Sequence, residues 1–227
     1  MPRLDARLKL VASEIRGQIH ADIGSDHGHL LAALLASGRI QRGIAVENKP
    51  QPHRNSSATL ERLNADIRLG DGLDVIHENE IDSLSICGMG GQSIVRILCE
   101  HPNRLPEQLV LQPNKAIDLV RQWARSNGYW LTDEKSTTGT RRFEVLVLAR
   151  STSNPDPVYQ QLVDAGLDEP MGLMFGPWFL LRNDNELLQR LSEEQRYLQT
   201  KQNLTPSSRK RLDLIQRLMS SDHFLSR

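Results

Sequence analysis

The sequence predicts an α/β fold: a doubly wound, Rossmann-like parallel sheet with an antiparallel edge hairpin, followed by a helical C-terminal domain. Three observations carry this expectation. Short apolar runs alternate with segments of helical periodicity between residues 19 and 128, the pattern of a parallel sheet covered on both faces. Two strand-like runs then follow each other with only the turn "KSTTGT" between them, which makes a hairpin. After Ala149 the chain turns polar in "RSTSNPDP", with two prolines, and helical patterns fill much of what remains. The expected domains are 1–150 and 151–227.

The elements follow in order. Leu4, Leu8, Val11 and Ile15 share one face of an opening helix. "IHADI" (19–23) is a strand, and "HLLAALLASG" (29–38) is a helix closed by Gly38. "GIAVEN" (43–48) is a strand, and "QPHRNSSATLERLN" (51–64) is a helix with Pro52 in its first turn. "DIRLG" (66–70) and "IDSLSICG" (81–88) are strands, "QSIVRILCE" (92–100) a helix, and "QLVLQ" (108–112) a strand. "KAIDLVRQWARSNG" (115–128) is a helix, and "YWLTDE" and "RRFEVLVLA" (141–149) form the hairpin. Beyond the linker, Leu187, Leu188, Leu191 and Leu198 form one stripe, and Leu212, Ile215, Leu218 and Met219 form another. Thr205 and Pro206 cap the second of these helices, so the pair reads as an antiparallel helical hairpin.

Composition bounds the function. The chain has 227 residues, 38% of them hydrophobic, enough for one full domain and an appendage. Lys plus Arg and Asp plus Glu each total 28, so any basic footprint must be local. Cys87 and Cys99 show no ligand or redox spacing and read as buried free thiols of a reducing cytoplasm. The opening residues lack the apolar core of a secretory signal, and the longest apolar run, Leu30–Ala36, is too short for a membrane span. A cytoplasmic protein without a membrane partner is expected.

The chemistry concentrates in "ADIGSDHGHL" (21–30). A strand ends at Asp22, and Gly24 and Gly28 bracket Ser25, Asp26 and His27 before a helix begins. A dinucleotide site wants a second glycine where Asp26 stands, and a carboxylate there repels a pyrophosphate. A ligand bearing an ammonium and a sulfonium is instead attracted, and S-adenosylmethionine (SAM) has both. Later strand ends agree. Glu47, with Asn48 beside it, follows Gly24 by about two dozen residues, where an acid can hold ribose hydroxyls. "LGDG" presents Asp71 and Gly72, with Asp71 able to accept from an adenine amino group. "CGMGG" gives Gly88, Met89, Gly90 and Gly91, leaving room near a methyl donor. Alone, Asp22 serves equally as a turn carboxylate, and "GMGG" as a turn before a helix. Four such features at successive strand ends point to one ligand.

"ADIGSDHGHL", "GDGLDV", "GMGG", "LQPN" (111–114) and "FGP" (175–177), in this order, resemble the bacterial tRNA (adenine-N1)-methyltransferase family called TrmK. The resemblance runs over nearly the whole chain. It implies a class I SAM-dependent methyltransferase that modifies adenine 22 of some tRNAs, and a coiled-coil-like C-terminal domain. The chain differs from the common family pattern at Gly28 and His29, and has Phe143 where Tyr is usual.

N1 of neutral adenine has a free lone pair, so catalysis needs in-line positioning and an acid facing the cationic product. Asp26 is the expected catalytic residue, with capping of the following helix as its alternative use. Gln112, Pro113 and Asn114 either line the base pocket or form a structural turn, and Gly91 and Arg142 complete the expected substrate side. His27 and His29 read as pocket-wall residues rather than a metal pair, and no metal is expected. Arg39, Arg42, Lys49, Arg54, Arg62 and Arg68 form one basic cluster. Lys201, Arg209, Lys210, Arg211 and Arg217 form a second. Either is an ordinary solvated face by itself, but a tRNA substrate makes both candidates for phosphate contacts. Trp178 and Phe179 read as packing residues of the helical arm rather than stacking residues. A SAM-dependent small-molecule methyltransferase and a non-catalytic RNA-binding module are the competing functions, and a monomer is expected.

Overall fold

The computed structural model describes residues 4–137, 141–153, 155–221 and 223. Two compact units divide the chain, Met1–Thr152 and Ser153–Arg227.

The first unit alternates as the sequence suggests. Its strands are β1 (Ile19–Ile23), β2 (Arg42–Glu47), β3 (Ala65–Leu69), β4 (Ser83–Gly90), β5 (Gln108–Lys115), β6 (Tyr129–Ser136) and β7 (Glu144–Arg150). Its helices are α1 (Ala6–Glu14), α2 (His29–Ala36), α3 (Pro50–Leu60), α4 (Gly91–Glu100) and α5 (Ile117–Ser126). They build one sheet in the order β3-β2-β1-β4-β5-β7-β6. β1 to β5 are parallel, and β7 runs antiparallel to both its neighbours. The hairpin therefore forms, with β7 inserted next to β5 and β6 on the edge. Thr138–Thr140 of the turn expected there lie outside the described residues, as does Asn154 of the expected linker.

Helices on both faces bury the sheet. α1 and α2 bring Val11, Ile15, Leu30, Leu31 and Leu34 onto Ala45, Val110 and Val145. β5 continues past its expected end through Pro113. A proline removes a ladder donor and suits only a strand side without a partner. Pairing with β7 ends at Leu111, while pairing with β4 goes on to Lys115, so Pro113 has one open side. Arg121 of α5 is fully buried and forks to Glu134 of β6 and Glu144 of β7, each at 2.7 Å. That fork ties the edge hairpin to the helix layer, with each buried charge matched by another.

The second unit is richer than a hairpin. Three helices, α6 (Pro157–Asp164), α7 (Glu169–Phe175) and α8 (Pro177–Leu181), precede the expected pair α9 (Asn185–Gln199) and α10 (Pro206–Met219). They are short and punctuated by Gly166 and Gly176, so periodicity alone passes them over. The starts of α6, α7, α9 and α10 are marked chemically: Asp156, Asp168, Asp184 and Thr205 each accept a backbone N–H at a helix N-terminus. Leu187, Leu191, Ile215 and Leu218 join Leu162, Met171, Phe175 and Phe179 in one core. The hairpin's apolar stripe thus joins the core that the three shorter helices build. Phe179 packs inside that core, and Arg182 lies over the Trp178 ring.

Candidate active site

The order around β1 creates the cleft. β2 and β4 flank β1, and the connections leave in opposite directions, so the carboxyl ends of β1 and β4 open a crevice between them. The turn after β1 fills its floor. Gly24 (φ 72°), Asp26 (φ 61°) and Gly28 (φ 68°) all adopt left-handed backbone. Gly24 suits its φ of 72°, and a Cβ there would also meet Cε of Met89, the movable end of a flexible side chain, at 2.5 Å. Asp26 is the non-glycine of the three, and its N–H donates to Oε1 of Glu47, which holds the strained residue in place.

A cavity of about 490 Å³ occupies the crevice, a size that suits a nucleoside-like ligand. Asp22, Gly24, Ser25, Asp26, His27, Gly88 and Met89, all expected at the site, line it together. Its other walls are His29, Leu30 and Cys87, with Asp5, Arg7 and Leu8 of α1. His27 and His29 stack with ring centroids 5.3 Å apart. The Asp26 carboxylate is exposed at the rim, 3.7 Å from Nε2 of His27. It does not cap α2: Gly28 takes the N-cap position without any side-chain bond.

Asp22 is buried at 4% exposure. Burial pushes its carboxyl above the usual carboxylate range, while the Ser85 hydroxyl and the Arg7 guanidinium pull it back. Ser25 Oγ sits near enough to help hold that charge. Yet it is buried and makes no well-formed hydrogen bond among the described residues, so it can serve a ligand. Glu47, at the end of β2, is likewise pushed up by burial. Its Oε1 accepts both the Asp26 N–H and the Ser56 hydroxyl. Cys87 is in the wall, its thiol pushed up by burial, whereas Cys99 is exposed, against the expectation that both are buried.

Other expected residues fall elsewhere. Glu47, Asn48, Asp71 and Gly72 stand at strand ends beyond the walls of this cavity. Asp71 is met by Arg96 of α4 at 3.3 Å. Gly90 and Gly91 form the β4–α4 junction, and a Cβ on Gly91 would lie 2.0 Å from the Ala116 carbonyl oxygen. Gln112 is fully buried and spends its amide internally. Oε1 accepts from Arg7 at 2.9 Å and from the Gly88 N–H at 3.1 Å, and Nε2 donates to Pro113 O and Asn114 Oδ1. Asn114 Nδ2 then donates to Gly88 O at 2.6 Å. "LQPN" therefore shapes the mouth by locking the ends of β4 and β5 together, with Asn114 exposed. Arg142 has a side chain only 6% exposed, beside Glu144, which places it in the hairpin wall and not at the cavity.

Arg7 is the residue that sequence reasoning missed. It touches Gln112 across 105 positions, its guanidinium lies 5.9 Å from the Phe143 ring centroid, and it bears on Asp22. Its only local signal is that Asp5, just before it, caps α1 through the Leu8 N–H.

Two of the six residues in the expected basic cluster of the first unit meet carboxylates. Arg42 starts β2, at the sheet end opposite the cavity, and with Arg68 it pairs with Asp66 and Glu80. In the second unit Arg211 pairs with Glu194 and Arg217 with Asp168, while Lys201, Arg209 and Lys210 are exposed. Among the described residues, no group of three His, Cys, Asp or Glu side chains is placed to hold a metal. No helix among them is long and apolar enough to cross a membrane.

Comparison with known proteins agrees with this geometry. A methyltransferase-domain family matches residues 4–146. The tRNA (adenine(22)-N(1))-methyltransferase of Bacillus subtilis (strain 168) is 32% identical over 206 residues, 87% of this chain and 84% of that protein. The crystal structure of B. subtilis TrmK, a tRNA methyltransferase, superposes with a TM-score of 0.82 at 27% identity, covering 96% of this chain and 99% of that one. Streptococcus pneumoniae Sp1610 in complex with S-adenosyl-L-methionine gives a TM-score of 0.81 at 26% identity, covering 96% and 100%.

Proposed function

The chain belongs to the tRNA (adenine(22)-N(1))-methyltransferases within the methyltransferase-domain family, and from that premise we propose how its own residues carry the reaction. It is a SAM-dependent enzyme that methylates N1 of adenine in tRNA. The observation that carries the assignment of roles is the presence of a buried carboxylate, Asp22, and a guanidinium, Arg7, in the wall of one cavity.

The bound cofactor supplies a methyl group on a sulfonium, next to an amino acid end with one ammonium and one carboxylate. Asp22 faces the cationic groups, and Arg7 takes the carboxylate. Ser25 Oγ, buried and without a well-formed bond among the described residues, adds a donor. Gly24 and Gly88 keep the wall flat enough for close approach. Glu47 takes the ribose through Oε2, since both its present bonds fall on Oε1. Asp71 takes the adenine end in exchange with Arg96.

N1 of the target base needs no deprotonation before attack. The chain's work is therefore orientation and a negative rim that favours the cationic product. Asp26, exposed at the mouth and held by Glu47, is the carboxylate in position for it. Asp26→Asn tolerates left-handed backbone, so it is expected to keep SAM affinity and melting temperature while lowering kcat about tenfold. Single-turnover methylation of tRNA checks this, and an unchanged rate removes Asp26 from catalysis. Arg7→Met is expected to weaken SAM binding about tenfold, the worth of one charge-assisted contact. Calorimetry reads it, and an unchanged affinity takes Arg7 off the cofactor.

The tRNA is held in part by Lys201, Arg209 and Lys210, whose charges are exposed, so its affinity falls steeply with salt. Two free thiols fit a cytoplasmic enzyme, which we take to act as a monomer.

A further inference from the structure

A polar cluster lies in the sheet directly beneath the cavity. His20 and Asp22 share a face of β1, and Ser83 and Ser85 share the facing side of β4, in the register His20 to Ser83 and Asp22 to Ser85. His20, Ser83 and Ser85 are all at 0% exposure. Three hydrogen bonds join them in a row: His20 Nδ1 to Ser83 Oγ at 2.7 Å, His20 Nε2 to Ser85 Oγ at 2.9 Å, and Ser85 Oγ to Asp22 Oδ1 at 2.6 Å.

The chemistry of the groups fixes the direction. With Asp22 ionised, as a cation-binding acid must be, its carboxylate only accepts, so Ser85 gives its single hydrogen to Asp22. Ser85 must then accept from His20, whose Nε2 carries the ring proton. Burial holds the His20 pKa down to about 3, so the ring is neutral and has no second proton. Nδ1 therefore accepts from Ser83. The row runs one way, from Ser83 to the site carboxylate, and each bond polarises the next.

We infer that His20 is a positioning residue for cofactor binding, which fixes the Ser85 hydroxyl as a donor and so keeps the Asp22 carboxylate oriented and charged. This rests on the reading of Asp22 as the cofactor's acid. A leucine or valine would fill this strand position without burying polar atoms, and the row ends on a site carboxylate instead of closing on itself. The groups around Asp22 are Arg7 from α1, Ser85 and Cys87 from β4, Glu47 from β2, and Ser25 from the turn. Among these, Ser85 makes the short bond to it.

The test is SAM binding by calorimetry between pH 5.5 and 8 for wild type, His20→Leu, Ser85→Ala and the double variant, with melting temperatures alongside. His20→Leu is expected to weaken SAM about tenfold at pH 7 and to raise the acid limb of binding by about one pH unit, the equivalent shift. Ser85→Ala should do the same, and the double variant should be no worse than Ser85→Ala alone. Ser83→Ala, a mild change, should weaken binding about threefold if His20→Leu does not fold. Nitrogen NMR of wild type should find Nε2 protonated and Nδ1 bare throughout that range. Additive effects, an unmoved acid limb in a folded variant, the opposite tautomer, or a ring that titrates near pH 6 would each overturn the relay. If wild type itself does not bind SAM, the cofactor reading fails instead, and the ring tautomer still decides the relay.

Discussion

Asp22→Asn is expected to weaken SAM binding about 100-fold, the combined loss of a buried charge and its charge-assisted bond. The melting temperature should hold or rise. The sign follows from the direction of the shift. Burial raises the Asp22 pKa in the folded state. The ionised side chain therefore destabilises the fold at every pH above that raised value, and the penalty fades as pH falls toward the ordinary carboxylate range. Above the raised value wild type bears the penalty in full, and the amide does not. Asn can still accept from Ser85, so the row of hydrogen bonds beneath survives. A carboxylate kept at a cost to stability is the mark of a binding group. Calorimetry with thermal denaturation at pH 7.5 checks both halves. An Asn variant with wild-type affinity would make Asp22 a turn residue.

Gly91→Ala is expected to cost about 3 kcal/mol or more, a fall in melting temperature of roughly 6–12 °C. The added Cβ would meet the Ala116 carbonyl oxygen at 2.0 Å. That neighbour is backbone, and Ala116 already sits at φ 52°, so neither side can give easily. The β4–α4 and β5–α5 junctions lean on each other there, and those junctions carry Gly88 and Asn114 at the mouth. Loss of stability with SAM affinity retained by the folded fraction marks Gly91 as a packing glycine. An unchanged melting temperature with lost methylation would return it to the substrate side.

The sequence made legible whatever is local. Alternation of strand and helix, the glycine turn and the acids at strand ends are short-range signals, and Asp22, Ser25, Asp26 and His27 do meet in one cavity. Long-range partnerships were not legible. Arg7 reaches Gln112 across 105 positions, and the Asp5 cap that starts α1 says nothing of that partner. Gln112 reads in sequence either as a base-pocket amide or as part of a structural turn, and its four bonds are consumed inside the fold. The basic cluster of the first unit reads in sequence as a solvated face or, given a tRNA substrate, as phosphate contacts, and the acid partners of Arg42 and Arg68 are not visible there. Glu80, a dozen residues past Arg68 in sequence, folds back to pair with it. Helices α6 to α8 escaped because each is too short to show a period, although the Asp-then-Pro starts of α6 and α7 were there to read.

The most direct test of the central claim is methyl transfer to two transcripts of one tRNA, one with adenine at position 22 and one with guanine there, followed by nucleoside mapping. The purified chain with SAM should place a single 1-methyladenosine at position 22 of the first and leave the second unmodified. Equal methylation of both transcripts, or none of either by a chain that binds SAM, would contradict it.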